Sequence, residues 1–458
     1  MNSNNAQSKL FTKPHVGYMF GGAAQTTIVF LISVTLTYYY TNVLGLSIGK
    51  VSLIMLLSRF LDGGSDIIAG AVIDRTKSKF GKARPWILRM CIPHLIALIA
   101  MYTVPPTSEN FQLIYIFVAY NFANTFVNTF AGLAISSLNS LMTRDIVERG
   151  QLNAMRQIGA PVMELAISAL TIPAANFLGG DQKSWIIVVT VISLIATLCY
   201  FLCFLWTKET APEERNATTE PISAKVTAKA VLGNKFWWIA LLLWVARTFI
   251  NSIMGTMGPY FTQYVYGNVN LNSLLITVEK GITIAIAFLV VPALVKRTSK
   301  RNIAILSSIF YMIGQLIFMT NTGNLSMAVV AAVGRGFGHA FGSGVVFAII
   351  ADTVEYSHWK FGVRLEGAIF CAATVGQKCG QGVAQALTGG LMEMAGFDGM
   401  AAVQSAATMS MITNLYVWTP IICGAVELIL MLFYRLEKDL PRIQNEIAMR
   451  TQNSDLKQ

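Results

Sequence analysis

The sequence predicts an all-α membrane protein, with twelve transmembrane helices arranged in two six-helix bundles. Charged residues make up 12% of the 458 residues and hydrophobic residues 54%, and the mean hydropathy is +0.56. A soluble domain has about 25% charged residues, so this composition is typical of a protein embedded in a lipid bilayer. Apolar runs long enough to cross a bilayer recur along nearly the whole chain.

These runs are expected to form twelve spans. In chain order the spans cover residues 16–40, 48–73, 86–104, 111–140, 153–178, 184–207, 236–265, 273–295, 302–320, 325–350, 366–394 and 410–434. Glycine or polar residues interrupt several of them, which is typical of helices that line a cavity instead of facing lipid. Residues 1–13 are polar and lack the apolar core of a secretory signal peptide, so the first spans are expected to direct the chain to the membrane.

The loops between the spans predict the orientation. Basic residues crowd the loop after span 2 and the loop after span 8, whereas the opposite loops PPTSEN, YGNVNLN, NTGNLS and AGFDGM contain no Lys or Arg. By the positive-inside rule both termini are expected in the cytoplasm, which fits an even number of spans. The net charge of +11 is therefore interpreted as a topology signal and not as a nucleic-acid surface. The expected location is the plasma (bacterial inner) membrane.

Two pairs of loop motifs indicate that the chain consists of two related halves. DRTKSK after span 2 is similar to KRTSKR after span 8, and RDIVERG after span 4 is similar to ADTVEYS after span 10. Two six-helix repeats around a central site are a common transporter plan. The predicted division is an N-terminal bundle at 1–207, a cytoplasmic central loop at 208–235, a C-terminal bundle at 236–440 and a cytoplasmic tail at 441–458.

Three charged residues lie inside span 2. Arg59, Asp62 and Asp66 are spaced i, i+3, i+7, so they project from one face of the predicted helix. A charged side chain at the bilayer centre costs about 2.5–3.5 kcal/mol, so such residues are functional by default. Two carboxylates one turn apart suit a site for a coupling ion, either Na⁺ or a proton. In the alternative interpretation Arg59 and Asp62 form a structural ion pair, which leaves Asp66 unexplained.

The residues around this site resemble a known family. LSRFLDGGSDIIAGAVIDRTKSKFGKARPW resembles the signature of the glycoside–pentoside–hexuronide:cation symporters, a branch of the major facilitator superfamily. ADTVEYSHWKFGVRLEGAIFCAATVGQKCG is most similar to the glucuronide carriers of that family, and YYYTNVLGLSIG resembles the end of the family's first span. The resemblance covers essentially the whole chain. It implies the major facilitator fold and sugar uptake coupled to Na⁺, H⁺ or Li⁺.

The resemblance also implies roles for individual residues in the coupling site. Asp62 and Asp66 match the family's cation-binding carboxylates, and Thr129 matches a threonine ligand. Ser65 stands where the melibiose carriers have asparagine, and its hydroxyl still offers an oxygen to Na⁺. Lys378 in GQKCG matches a lysine that contacts both the cation and the sugar regions.

The galactoside site of the melibiose carriers is not retained. Their two sugar-binding aspartates align with Thr26, which follows Gln25, and with Gly132, so a galactoside is not the expected substrate. Arg156 matches a family arginine at the cytoplasmic side of the sugar cavity. Asn128 in span 4 and Gln377 in span 11 belong to polar stripes that are expected to line the same path.

Basic residues replace those aspartates. Arg335 and His339 are spaced i, i+4 in span 10, and Arg247 lies in span 7. An arginine side chain binds a carboxylate through two parallel hydrogen bonds. The loss of the two aspartates and the presence of these basic residues therefore favour an anionic sugar such as a glucuronide or an oligogalacturonide. The alternatives are that His339 is a packed helix residue and that Arg247 bonds to a backbone carbonyl or reaches the cytoplasmic edge.

Two further charged residues in span 8 are interpreted as structural. Glu279 and Lys280 are adjacent and therefore lie on different faces of the helix. Arg335 has no acid within one turn of its own helix, and in the alternative interpretation Asp62 or Asp66 approaches it from the other bundle.

We therefore expect a secondary active transporter that carries a sugar or glycoside in symport with a monovalent cation by alternating access. A symporter of a neutral glycoside or pentoside and an uncoupled facilitator remain alternatives. An intramembrane enzyme is disfavoured, because the four histidines are scattered and no HExxH or GxSxG motif occurs. The expected partners are the sugar, the coupling ion and the lipid bilayer, without a further cofactor, a nucleic acid or an obligate protein partner.

Overall fold

The computed structural model describes residues 12–210, 224–362 and 365–455, and this part of the chain contains helices and no strand. The long helices are, in chain order, α1 (Lys13–Phe30, continued by the π-helical turns Leu31–Leu36 and Tyr39–Val43), α2 (Ile48–Asp74), α3 (Arg84–Tyr102), α4 (Glu109–Asn121, π-helical Phe122–Asn128 and Thr129–Met142), α5 (Ile146–Phe177), α6 (Gln182–Trp206), α7 (Lys235–Tyr266), α8 (Leu271–Leu289, followed by Val291–Arg297), α9 (Lys300–Met319), α10 (Leu325–Phe361), α11 (Glu366–Met394) and α12 (Ala406–Phe433). Two further helices, Ala224–Leu232 and Leu436–Asp455, precede α7 and follow α12.

The all-α prediction is confirmed, and the described residues contain twelve long helices in the predicted order. Nine helices in the described ranges are long and apolar enough to cross a membrane. Helices α2, α4 and α11 are not among those nine. They carry the predicted cation and coupling residues, and polar groups at a transport site lower the apolarity of the helix that holds them.

Helix α10 extends beyond its predicted end at residue 350. The sequence placed ADTVEYS, which contains Asp352 and Glu355, in the loop after span 10. The helix instead continues to Phe361 and stops at Gly362, whose φ of +73° favours glycine. Asp352 is accommodated because its carboxylate accepts hydrogen bonds from Lys300 Nζ at 2.6 and 2.8 Å and from the Tyr434 hydroxyl at 3.1 Å.

The described residues form two compact units. The first unit contains residues 12–210 together with the segments Gly258–Thr277 and Gln385–Met411. The second unit contains residues 224–257, 278–384 and 412–455, apart from the positions outside the described ranges. Helices α7, α8, α11 and α12 thus contribute residues to both units. The predicted division at 208–235 stays a prediction, because residues 211–223 lie outside the described part of the chain.

Glycines allow close helix packing in each unit. In the first unit, a Cβ on Gly159 of α5 would overlap the Met19 carbonyl of α1. In the second unit, a Cβ on Gly334 of α10 would lie 2.9 Å from the Cα of Gly314 in α9. Small residues at such crossings let two helix backbones approach closely. The α9–α10 crossing brings Gln315, the residue after Gly314, against Arg335, the residue after Gly334.

Candidate cation and substrate site

Asp62 is the most deeply buried of the predicted cation-site residues, with 2% of its surface exposed. Its Oδ2 accepts hydrogen bonds from Asn124 Nδ2 at 2.7 Å and from Arg59 Nη1 at 3.3 Å. Its Oδ1 accepts one from Thr125 Oγ1 at 2.5 Å. A buried carboxylate needs such donors to replace its hydration. Both oxygens are therefore held by protein groups, and the structure combines the predicted Arg59–Asp62 pair with two residues of α4.

A π-helical segment of α4 supplies these donors. Residues Phe122–Asn128 follow the wider helical winding, which places Asn124 and Thr125 on the side that faces α2. Asn121, one residue before the segment, donates to Ser58 Oγ of α2 at 2.8 Å. Single π-helical turns inside α-helices are frequent at functional sites. The asparagine stripe was predicted to line the transport path, but Thr125 was not singled out.

Two of the other proposed cation ligands, Ser65 and Asp66, lie about one turn beyond Asp62 on α2, and the third, Thr129, lies on α4. Ser65 Oγ donates to the Asp62 carbonyl at 2.9 Å and lies 3.5 Å from Thr129 Oγ1 of α4. Asp66 is half-buried on the same helix, and Thr129 is buried. Within the described ranges, no group of three or more His, Cys, Asp and Glu side chains could hold a metal ion. A sodium ion bound here would take hydroxyl and carbonyl oxygens together with carboxylates, as hard cations do.

Arg156 and Gln25 form the centre of the proposed sugar site in the first unit. Arg156 Nη2 of α5 donates to Gln25 Oε1 of α1 at 2.8 Å, and its Nη1 lies 3.5 Å from Ser136 Oγ of α4. Two glycines make room for this pair. A Cβ on Gly132 would lie 2.6 Å from Gln25 Nε2, and one on Gly22 would lie 2.7 Å from Arg156 Cγ. Gly132 of α4, one of the two positions where the melibiose carriers have an aspartate, is thus in contact with Gln25 of α1.

Thr26 and Asn128 differ in how far their side chains are engaged. The Thr26 hydroxyl donates to the Gly22 carbonyl of its own helix at 2.9 Å. Asn128 is half-buried, and its Oδ1 is inaccessible to solvent and accepts no hydrogen bond from the described residues. A buried amide oxygen without a donor costs free energy, so a ligand, an ion or a water molecule is expected to satisfy it.

Arg335 lies in a buried polar cluster inside the second unit. Its Nε donates to Glu279 Oε2 of α8 at 2.7 Å, and its Nη1 and Nη2 donate to Gln315 Oε1 at 3.2 Å and to the Tyr416 hydroxyl at 3.3 Å. His339 Nε2 lies 3.3 Å from Glu279 Oε1. Glu279, which had been set aside as structural, is thus the acid that balances Arg335, and no approach of Asp62 or Asp66 is needed.

Arg247 also has an acidic partner. Its Nη2 donates to Glu427 Oε2 of α12 at 3.1 Å and to Ser307 Oγ of α9 at 2.9 Å. Glu427 is fully buried. Neither a bond to a backbone carbonyl nor a reach to the cytoplasmic edge, the two alternatives considered from the sequence, is the contact that the structure gives Arg247. The unbalanced positive charge that favoured an anionic sugar is therefore compensated at Arg335 and Arg247.

Lys378 and Gln377 are half-buried neighbours on the part of α11 that belongs to the second unit. Their predicted roles in coupling and in substrate binding stay predictions. Glu427 was missed, although an acid inside the apolar run of span 12 met the same criterion that singled out Asp62.

Comparisons with known proteins agree with this architecture. Residues 17–438 match the family described as MFS/sugar transport protein. The chain is 27% identical to the isoprimeverose transporter of Lactiplantibacillus pentosus, over 92% of this chain and 88% of that protein. It is 24% identical to the glucuronide carrier protein homolog of Escherichia coli strain K12, over 83% of each chain. A solved structure of a D-xylose-proton symporter superposes with a TM-score of 0.64 at 13% identity, over 93% of this chain and 96% of that one.

The solved structure supports the major facilitator fold, and the sequence matches support the activity of a sugar symporter. The resemblance inferred from the motif of span 2 and from the motif that runs from the end of span 10 into span 11 is thereby confirmed at the level of the family. The expectation that the protein is not an enzyme is confirmed with it. The chain belongs to the MFS/sugar transport protein family and is a membrane transporter of the major facilitator superfamily.

Proposed function

We propose that this protein carries a sugar or glycoside across the plasma membrane by alternating access, in symport with one monovalent cation that binds at Asp62 and Asp66. Both termini lie in the cytoplasm in this proposal, as the distribution of basic loops predicts. The observation that carries the proposal is the burial of Asp62 beside Arg59, with Asp66 one turn away on the same helix.

The chemistry of these residues supports a cation. Asp62 and Asp66 offer carboxylate oxygens one turn apart on α2, and such oxygens are ligands for Na⁺ or acceptors of a proton. Ionisable residues inside a membrane helix are functional by default. The neutral donors Asn124 and Thr125 hold Asp62 in place during the cycle, while Ser65 and Thr129 offer further oxygens to a metal cation.

The finer proposal concerns the substrate, which we infer to be an anionic sugar such as a glucuronide or an oligogalacturonide. Its support now rests on Arg156, whose guanidinium is bonded to a neutral amide and lies near a hydroxyl. These neutral partners leave its charge available to a carboxylate. The relative named as a glucuronide carrier homolog is consistent with this substrate. Lys378 is the proposed link between ion and sugar.

A neutral glycoside or pentoside is the second candidate. The observation that favours it is the pairing of Arg335 with Glu279 and of Arg247 with Glu427, which removes two of the three arginines from the argument for an anion. The relative named as an isoprimeverose transporter also supports this candidate.

Uptake of labelled glucuronides and neutral glycosides into vesicles, with and without Na⁺ and a protonophore, tests both candidates. Saturable uptake of a glucuronide but not of a neutral glycoside supports the anionic substrate. Uptake of the neutral glycoside alone would mean that Arg156 binds a hydroxyl group of the sugar and not a carboxylate. A rate that depends on neither ion would exclude symport and leave an uncoupled facilitator.

A further inference from the structure

The C-terminal ends of α7 and α11 belong to the same compact unit as α1 and α2. The segments concerned are Gly258–Thr277 and Gln385–Met411. Their loops, YGNVNLN and AGFDGM, contain no Lys or Arg, so they are predicted to lie on the side of the membrane away from the cytoplasm. The contacts that these two segments make with α1 and α2 therefore lie on that outer side in the predicted topology.

Helix α11 crosses α2 at two small residues. A Cβ on Gly389 would overlap the Cβ and Oγ of Ser52 and would lie 2.9 Å from the Ile48 carbonyl. Gly389 and Ser52 are both buried. Small residues let two helix backbones approach closely, and this crossing leaves no room for a larger side chain. The neighbouring Gly390 differs, because nothing lies within 4 Å of an added Cβ.

One turn beyond Gly389, Glu393 binds the N-terminus of α2. Its Oε2 accepts hydrogen bonds from the Ser47 hydroxyl at 3.0 Å and from the Gly49 amide at 3.2 Å. Ser47 is the N-cap residue of α2, and its Oγ also accepts a hydrogen bond from the Lys50 amide at 3.3 Å. An acid at a helix N-terminus is stabilised by the free amides of the first turn and by the helix dipole. A carboxylate of α11 thus completes the cap of α2.

Helix α1 is joined in the same way to α7 and to the loop after α11. The Tyr38 hydroxyl donates to Gln263 Oε1 at 2.5 Å, and the hydroxyls of Thr41 and Tyr260 lie 2.7 Å apart. A Cβ on Gly399 would overlap the Thr41 carbonyl. Polar side chains and close backbone contacts therefore hold both segments against the first two helices.

From these contacts we propose that Gly389 and Glu393 form a latch with residues 47–52 of α2, and that this latch opens once in each transport cycle. The inference rests on the alternating access of the proposed function and adds the residues that hold the outer side together. In alternating access the substrate site is reached from one side at a time, so contacts that join the helices at one side must break when that side opens.

The strength of the latch suits a contact that is made and broken repeatedly. Glu393 is exposed, and an exposed acid at a helix N-terminus shifts an equilibrium by only about two- to fivefold. The crossing at Gly389 adds close packing, which is lost as soon as the two helices separate.

Hydrogen–deuterium exchange of the intact protein in lipid nanodiscs, without any sugar, tests the latch. Gly389→Ala pushes Ser52 away from α11, so we expect the amides of residues 47–55 and 385–400 to exchange at least fivefold faster. Gly390→Ala is the matched control and should exchange like the wild type. The amides of α3 and α6 should not change in either variant, which separates opening of the latch from a general loss of stability. Equal exchange in the two variants overturns the inference.

Glu393→Gln tests the carboxylate and also serves if Gly389→Ala does not fold. Loss of the charge should speed exchange in the same two stretches by about two- to fivefold. Glu109→Gln is the control, because Glu109 of α4 lies 2.9 Å from Lys50 Nζ in the first turn of α2 and has no part in the latch. It should leave the exchange of residues 385–400 unchanged. An equal effect of the two variants on that stretch overturns the inference.

Uptake of the transported sugar by the same variants tests the role of the latch in the cycle. We expect uptake by Gly389→Ala to fall at least fivefold, because the state in which the latch is formed becomes less populated, while Gly390→Ala keeps wild-type uptake. Faster exchange at the latch with unchanged uptake overturns its role in transport. If the wild type takes up no sugar, the proposed function has failed, and the exchange measurement still reports separately on the latch.

Discussion

Glu209 and Glu437 occupy equivalent positions in the two halves of the chain. Glu209, just after α6, accepts hydrogen bonds from the backbone amides of Lys82, Ala83 and Arg84 at 2.8–2.9 Å, where α3 begins. Glu437, just after α12, accepts them from the amides of Lys300 and Arg301 at 2.8 and 3.1 Å, where α9 begins.

The exchange is reciprocal in each half. Arg84 donates back to the Phe204 carbonyl at 2.7 Å, and Arg301 donates back to the Met431 carbonyl at 2.7 Å. The third and sixth helices of each half are thus joined by one carboxylate and one guanidinium. This arrangement is what a duplicated bundle would retain, and it supports the similarity of DRTKSK and KRTSKR.

The first prediction is that Glu209→Gln and Glu437→Gln each destabilise the protein by about 1–2 kcal/mol, because a charged acceptor at a helix N-terminus is lost. Thermal unfolding of the purified protein measures the effect. Asp74→Asn, an exposed carboxylate at the C-terminal end of α2, is the control and should not lower the unfolding temperature. Equal unfolding temperatures of all three variants would show that the two glutamates do not stabilise the contact between the helices.

The second prediction separates the two carboxylates of α2. Asp62→Asn leaves Arg59 buried without its charge partner, which should cost about 3–5 kcal/mol of stability together with uptake. Asp66→Asn, at a half-buried position, should leave the unfolding temperature near that of the wild type but abolish the dependence of uptake on the cation. Uptake by Asp66→Asn that still follows the Na⁺ or proton gradient would assign the coupling ion to another site.

The third prediction concerns Gly132. Gly132→Ala places a methyl group 2.6 Å from Gln25 Nε2, so the Gln25 amide, which accepts a hydrogen bond from Arg156, must shift. We expect KM for the transported sugar to rise at least tenfold with little change in the amount of protein in the membrane. Gly150→Ala is the control, because nothing lies within 4 Å of the added carbon. A wild-type KM in Gly132→Ala would place the sugar elsewhere.

The fourth prediction tests the charge of the substrate. Arg156→Gln removes a guanidinium that is proposed to bind a carboxylate, a contact worth about 1.5–3 kcal/mol, so uptake of a glucuronide should fall by ten- to a hundredfold. Uptake of the corresponding neutral glycoside should change far less. Arg149→Gln, exposed on the same helix, should affect neither sugar. An equal loss of uptake for both sugars would show that Arg156 maintains the structure of the cavity and does not recognise the charge of the substrate.

The sequence was sufficient for features that depend on local spacing. The contact of Arg59 with Asp62 follows from helical periodicity. The cytoplasmic position of both termini stays a prediction from the basic loops. The partners of Arg335 and Arg247 were not predictable in the same way. Glu279 and Glu427 lie on other helices, and only the packing of α8 and α12 against α10 and α7 brings them within 3.1 Å. The spacing of residues along one helix predicts that a charged side chain is buried. Which residue neutralises that charge depends on how the helices pack against one another.

The last prediction follows from the path of Arg247 across α10. A Cβ on Gly342 would overlap the Arg247 guanidinium, so Gly342→Ala must displace Arg247 from Glu427. Breaking a buried pair by displacing one partner should cost about 3–5 kcal/mol. Gly344→Ala, two residues on and open to space, should be neutral in the same unfolding measurement. Arg247→Met with Glu427→Gln removes both charges, so adding Gly342→Ala to that background should cost much less. An equal cost in both backgrounds would show that the alanine acts on helix packing and not on the ion pair.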